Sequence, residues 1–460
     1  MAQTELVSES LPSPHTVAPD ADPAFEARTV RKVMLRLIPF IVVLYIMNYL
    51  DRVNVAFAKL TMNADLGFSE EAYGFGAGVF FVSYFLFEVP SNLIMQRVGA
   101  RLWMARIMIS WGLISSAMIF VEGPLSFYAL RFLLGAAEAG FAPGILLYLT
   151  YWVPVKQQGR AVAWFLTSTA LAGLVGSPLA GLILSLDGAA LFGWRLVGWQ
   201  WLFLLEGIPS VIGGFTVLWL LTDRPEQASW LKPKEREWLS KHLEAERRQR
   251  QSLGHTSLRH AFANRTVWLL TLNYCALMFA FQGMNYFMPT VIKEATGIED
   301  NQRVGLLTAI PYFCAMVSMV IVGRHSDRTG ERRWHVAACT FLGALGLSLC
   351  AQPVSGAVVV AALAVAAVGL WSMLGPFWAM PPTFLTGTAA AAGIALINSV
   401  GNLGGFLAPY AMGALKDRTR SCKAGLVLFA AVLVVGGCLT LCFRRVRRPG
   451  ALTGGENGLT

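Results

Sequence analysis

About twelve stretches of this chain are apolar over the ~20 residues that an α-helix needs to cross a lipid bilayer. They lie near 34–57, 73–96, 102–121, 126–149, 160–184, 198–221, 264–292, 302–324, 334–352, 355–380, 389–415 and 424–443. This pattern decides the fold class. Backbone N–H and C=O groups in hydrocarbon find no water, so each stretch must satisfy its own hydrogen bonds as a helix. Only 14% of the 460 residues are charged and mean hydropathy is +0.54, against roughly 25% charge in soluble domains. The sequence predicts an all-α integral membrane protein with twelve transmembrane helices.

Polar segments divide the chain. Residues 1–33 carry Pro12, Pro14, Pro19 and Pro23 and read as a disordered cytoplasmic tail. Residues 34–221 form a six-helix bundle and 264–443 a second one. Between them, 222–263 is a basic linker in which KPKEREWLSKHLEAERRQR reads as a surface helix, with Trp238, Leu239 and Leu243 as its apolar side. Residues 444–460 form a second cytoplasmic tail. No cleaved signal peptide is expected, because the first apolar segment is too long.

The net charge of +10 needs no nucleic-acid partner, since Lys and Arg collect in the cytoplasmic loops of membrane proteins. Arg97, Arg101, Lys156, Arg160, the linker, Arg324–Arg333 and the C-terminal arginines then fall inside. This places both termini in the cytoplasm, in a bacterial-type inner membrane. The loop 415–423, LKDRTRSCK, is a basic exception on the outer side.

The halves repeat. Arg97-x-Gly99-x-Arg101 recurs as Arg328-x-Gly330-x-Arg332, and 328 − 97 = 231. Pro178 matches Pro409 and Gly173 matches Gly404 at the same offset. Duplicated halves of this kind place a substrate site between them, near the bilayer midplane.

Charges inside the spans carry the chemistry. Asp51 and Arg52 stand side by side in RLIPFIVVLYIMNYLDRVNVAFAKL. A charge at mid-bilayer costs at least ~2.5 kcal/mol, so it needs a partner, water or a function. The fourth span, FYALRFLLGAAEAGFAPGILLYLTYW, adds Arg131 and Glu138. Seven residues at roughly 100° each return them to one helix face. Arg52 and Arg131 can attract an anion, since Arg stays charged when buried and grips a carboxylate bidentately. Asp51 and Glu138 can exchange protons, with Glu138 the first choice for the coupling proton. A structural ion-pair network is the competing reading.

The matching positions in the second half are not ionisable: Gln282 stands where the offset places Asp51. That half offers Gln282, Asn285, Asn398, Asn402, Trp371 and Trp378 instead. Tyr49 and Tyr84 in the first half can donate to substrate oxygens or be packed aromatics. The amides can equally be interhelical glue. Gly74, Gly76 and Gly78 open an apolar helix with no preceding strand, so they are not a dinucleotide loop. The seven cysteines and six histidines form no C-x-x-C or zinc signature. There is no Ser-His-Asp context and no Walker loop, so neither an enzyme nor a cofactor site is expected.

GRHSDRTGERR, residues 323–333, resembles the loop signature of the major facilitator superfamily. The first-half copy, NLIMQRVGAR, is degraded, with Asn92 and Gln96 where Gly and Asp are usual. NYLDRVNVAFA, EVPSNLIMQRVGAR, RFLLGAAEAGFAPG, DRPEQASWL and INSVGNLGGF are similar to the anion:cation symporter branch. The resemblance implies a proton symporter of small organic anions such as sugar acids, tartrate, phthalate or hydroxyphenylacetate. It implies proton coupling at Asp51 and Glu138, and substrate binding by Arg52, Arg131, Tyr49, Tyr84, Gln282, Trp378 and Asn398. Gating would involve Arg97, Arg101, Asp327, Arg328 and Arg332. The expected energy source is the proton gradient and the expected working unit a monomer. A proton-coupled drug or metabolite antiporter of the same fold is the alternative.

Overall fold

The computed structural model describes residues 22–191, 193–252, 264–381 and 387–443, with the backbone alone for 250–252 and 387–392. Most of each tail, 1–21 and 444–460, therefore lies outside the described residues, as does the linker segment 253–263. The described chain is helical apart from turns and one short hairpin pairing Ala190–Leu191 with Trp194–Arg195.

The first half contains α1 (Pro23–Leu66), α2 (Glu70–Val98), α3 (Ala100–Ala117), α4 (Pro124–Glu138), α5 (Phe141–Thr150), α6 (Val155–Leu184) and α7 (Gly198–Leu220). The linker helix is α8 (Pro233–Ser252). The second half contains α9 (Arg265–Thr296), α10 (Asn301–Thr329), α11 (Arg333–Cys350), α12 (Gly356–Ser372), α13 (Leu374–Trp378), α14 (Gly387–Gly401), α15 (Gly404–Thr419) and α16 (Lys423–Cys442). Among the described residues, 11 segments are long and apolar enough to span a membrane. The expected span at 389–415 is divided between α14 and α15.

Three expectations need correction. Helix α1 starts at Pro23, not near residue 34, and its 44 residues would run about 66 Å at 1.5 Å each. That exceeds the ~30 Å hydrocarbon core. Its first turns leave the bundle and dock on α8. Phe25 meets Trp238 edge-on at 6.2 Å, Lys32 pairs with Glu235 at 2.7 Å, and Leu239 is fully buried. The fourth span is also not one helix. It breaks between Glu138 and Phe141, where Gly140 takes φ 89°. That left-handed geometry suits Gly, and a Cβ there would sit 2.5 Å from Ser91 Oγ. The tenth span likewise divides at Met373, between α12 and α13.

The halves meet through α2 against α15 and α6 against α10. Small residues permit this closeness. A Cβ on Gly413 would fall 2.1 Å from the Glu70 carbonyl oxygen, and one on Gly181 would fall 2.6 Å from that of Asn301. These contacts lie at the end away from α8, where α2 and α10 begin.

Candidate functional site

Asp51 and Arg52 are neighbours in sequence, but a helix turns roughly 100° between them, so they serve different surroundings. Arg52 turns toward α4. Its Nε donates to Glu138 Oε1 at 2.8 Å, and a second guanidinium nitrogen reaches the same oxygen. The guanidinium also lies over the rings of Tyr84 at 5.2 Å and Phe80 at 5.4 Å. Glu138 is fully buried and its Oε2 has no hydrogen-bond partner among the described residues. The Arg52 side chain keeps 13% exposure, so the pair has one wet member and one dry one.

Arg131 is near this pair but held differently. It is fully buried, and its Nη2 donates to the Ala77 carbonyl at 3.1 Å and to Tyr286 Oη at 3.3 Å. Tyr286 belongs to α9 of the second half, and its hydroxyl donates to the Arg52 carbonyl at 3.3 Å. Arg131 therefore ties α4 to α2 and to the opposite half. Its Nη1 is buried without a hydrogen-bond partner among the described residues.

Asp51 faces the other way, into the first half. Its carboxylate accepts from Trp111 Nε1 at 3.0 Å, Ser115 Oγ at 2.7 Å and Ser210 Oγ at 2.5 Å. The two expected proton sites are thus on opposite sides of α1, and the Asp51–Arg52 pair is not one patch of a common wall.

The remaining candidates lie between the halves. Tyr49 donates to Asn285 Oδ1 at 3.0 Å, and Tyr312 donates to the same oxygen at 2.8 Å. Gln282 is buried one turn earlier on α9. Asn285, not Gln282, is therefore the amide that meets Tyr49. Trp378 is partly buried, edge-on to Tyr274 at 5.0 Å. Asn398 donates to Glu88 Oε1 at 2.5 Å and Ser399 to Oε2 at 2.9 Å. Glu88, an acid of α2 two residues before Pro90, was not among the expected site residues; an acid inside an apolar span was the available signal. Tyr45 and Tyr274, with Tyr84 and Glu88, lie within reach of the Arg52 charge. The buried charged residues described are Asp51, Lys59, Glu88, Arg131, Glu138 and Glu206, all in the first half.

The expected gating residues sit at the α8 end. Asp327 pairs with Arg332 at 2.7 Å, within the second half. Arg328, Arg97 and Arg101 are exposed. In the degraded first-half loop, Asp223 supplies the acid: its Oδ1 accepts from the Arg101 backbone N–H at 2.8 Å, at the start of α3. Among the described residues no ion pair joins the halves at this end.

At the opposite end the halves are latched. Lys416 Nζ lies 2.7 Å from both Glu70 and Glu294. Lys59 meets Glu70 at 2.6 Å and sits over the Phe287 ring at 3.9 Å. Asp417 accepts from the Glu70 and Glu71 backbone N–H groups at 3.1 and 2.8 Å, where a carboxylate suits the positive end of α2. The basic loop that broke the charge rule is thus a contact between halves.

A model of the Major Facilitator Superfamily matches residues 41–409. A putative tartrate transporter of Agrobacterium vitis is 48% identical over 91% of this chain and 92% of its own. A quinolone resistance transporter of Acinetobacter baumannii is 44% identical over 90% of this chain and 95% of its own. The crystal structure of a bacterial homologue of the human lysosomal transporter Spinster, inward-facing and unoccupied, superposes with a TM-score of 0.72. It is 14% identical and covers 92% of this chain and 97% of its own.

Proposed function

The chain belongs to the Major Facilitator Superfamily, and on that premise we propose that it imports a small organic anion together with protons by alternating access. The observation that carries this reading is the Arg52–Glu138 pair. An arginine that keeps 13% exposure faces the space between the halves, and among the described residues its one acidic partner within hydrogen-bonding distance is a dry carboxyl. Protonating Glu138 removes the charge that holds Arg52. The guanidinium is then free to take a substrate carboxylate, whose binding replaces the lost ion pair. Loss of the proton from Glu138 restores the internal pair and expels the anion. The two ligands thereby travel together.

Tyr45, Tyr84, Tyr274 and Trp378 would form the walls, giving hydroxyl donors and flat faces to a hydroxylated acid such as tartrate, the cargo in a relative's name. The latch at Glu70, Lys416 and Asp417 would close the outer side. The Asp327–Arg332 loop and Asp223 would act at the cytoplasmic side, with both termini inside and the protein in the inner membrane of a bacterial-type cell. The proton gradient would supply the energy and a monomer would suffice.

The test is proton entry in proteoliposomes on addition of tartrate or another small carboxylate. Uptake that ignores an imposed proton gradient would sink the coupling. Proton-driven drug export is the second reading, favoured by the 44% relative named for quinolone resistance. Quinolone efflux from the same vesicles, with no carboxylate response, would select it.

A further inference from the structure

A second polar cluster lies inside the first half, behind α1 and away from Arg52. It is built from Asp51 and Asn54 of α1, Trp111 and Ser115 of α3, and Glu206 and Ser210 of α7. Glu206 is eight residues into α7, about 12 Å from its start, and 6% exposed. It lies one turn before Ser210, which bonds Asp51, and within electrostatic reach of that carboxylate. Asn54 is 1% exposed and turned toward Glu206. Yet among the described residues neither Asn54 side-chain atom closes a well-formed hydrogen bond, nor does Glu206 Oε2. Two polar side chains, each more than nine-tenths buried, thus meet with unmet bonding capacity.

Among the described residues no cation faces them. On α1, Arg52 is turned to Glu138. From α3 come Trp111 and Ser115, both neutral. Glu206 is the only ionisable residue of α7, and α6 has none between Ala161 and Leu184. Two carboxylates in such a place cannot both be ionised. The hydrogen bonds decide which one is. The Trp111 N–H can only donate, and Asp51 has three donors on its two oxygens. Donors to the charged form favour it. Glu206 Oε2 has none.

We propose that Glu206 is a second proton-carrying carboxyl, sharing one proton with Asp51 in a site separate from Glu138. In this state the proton is on Glu206. In the other the Glu206 O–H bond breaks, an O–H bond forms at Asp51, and the negative charge moves the opposite way. The Asn54 amide then donates to the Glu206 carboxylate, while a serine hydroxyl of the Asp51 cluster reverses. The proton carrier rests on the proton-coupled reading above, whereas the neutral acid at Glu206 does not.

Infrared spectroscopy of the protein in lipid nanodiscs tests the site. At neutral pH a carboxylic-acid C=O stretch should persist in Glu138→Gln and vanish in Glu206→Gln. In proteoliposomes Glu206→Gln should carry one proton fewer per substrate. An acid band unchanged in Glu206→Gln overturns the proposal. So does a lost band with unchanged stoichiometry, which makes the acid static, or a band that disappears on adding sodium, which makes the occupant a metal cation. If Glu206→Gln does not fold, Ser210→Ala serves. Removing a donor from Asp51 should move the acid band from glutamate to aspartate, read with carbon-13-labelled aspartate, and a band that stays on glutamate overturns the pair. If wild-type uptake ignores the proton gradient while the band behaves as stated, the transport reading fails and the neutral acid stands.

Discussion

Gly74 lies so close to Pro409 that a Cβ on it would sit 2.2 Å from the proline carbonyl oxygen. The same contact occurs a second time: a Cβ on Gly305 would sit 2.4 Å from the carbonyl of Ser177, the residue before Pro178. The two glycines and the two prolines are each related by the offset 231, since 305 − 74 = 409 − 178 = 231. The duplication is thus present as a matched pair of helix crossings, α2 on α15 and α10 on α6. Each crossing joins one half to the other.

These crossings leave no room for a side chain, because packed interiors yield little to added volume. Gly74→Val or Gly305→Val should therefore force the halves apart at the latched end. Spin labels on α2 and α15 should report a longer distance in either variant, while overall helix content is kept. Unchanged distances would mean that these crossings do not hold the end shut.

The latch should divide unequally between its two lysines. The Lys59 side chain is 3% exposed and that of Lys416 13%. Glu70→Gln removes the acid nearest both. It leaves Lys59 as a buried charge without its partner, a change that typically costs about 3–5 kcal/mol. Lys416→Gln leaves the Lys59–Glu70 pair intact and should cost less. Thermal unfolding in detergent should show the larger drop for Glu70→Gln. Equal drops would indicate that Lys59 finds another partner.

Arg52 and Glu138 should separate binding from coupling. Arg52→Lys keeps the charge but loses the planar fork that reaches Glu138 and would reach a carboxylate. Substrate affinity should fall by roughly 10-fold or more, the worth of one charge-assisted hydrogen bond of about 1.5–3 kcal/mol. Glu138→Gln should retain exchange of substrate across the membrane and lose accumulation against a gradient. Counterflow and net-uptake assays on the same vesicles distinguish the two. Accumulation that survives in Glu138→Gln would remove Glu138 from the coupling path.

Much of this was legible in the sequence, because the bilayer makes hydrophobic length so informative. The spans, the repeat and the ionisable residues Asp51, Arg52, Arg131 and Glu138 all follow from local pattern. What the sequence did not show is which way each charge faces. Periodicity places Asp51 and Arg52 about 100° apart, but only tertiary packing puts Trp111 and Ser210 beside one and Glu138 beside the other. The break at Gly140 is of the same kind. Ala-Gly within an apolar run reads as helix, and the left-handed turn arises where Ser91 of α2 packs against it. Glu88 and Glu206 carried a signal, an acid within an apolar run, but Asn398, which donates to Glu88, and Asp51, within electrostatic reach of Glu206, lie 310 and 155 residues away (398 − 88; 206 − 51).

The linker helix offers a test outside the membrane. Partial burial works to raise the Glu235 carboxyl, but the Lys32 ammonium and the Lys232 backbone N–H outweigh it and hold it below the ordinary glutamate range. A group depressed in the docked state stabilises docking above its free value, about 4.3 for Glu. That contribution is lost as pH falls through the lower docked value. Docking of α8 should therefore be insensitive to pH near neutrality and weaken in acid. Lys32→Ala should speed amide hydrogen exchange in α8 at neutral pH, and Glu235→Gln should do so while abolishing the acid response. The effect should be modest, up to about 1 kcal/mol for a partly exposed pair, because Phe25, Trp238 and buried Leu239 still hold the helix. Exchange in α8 that is equally slow in all three proteins at every pH would show that the aromatic contact alone docks it.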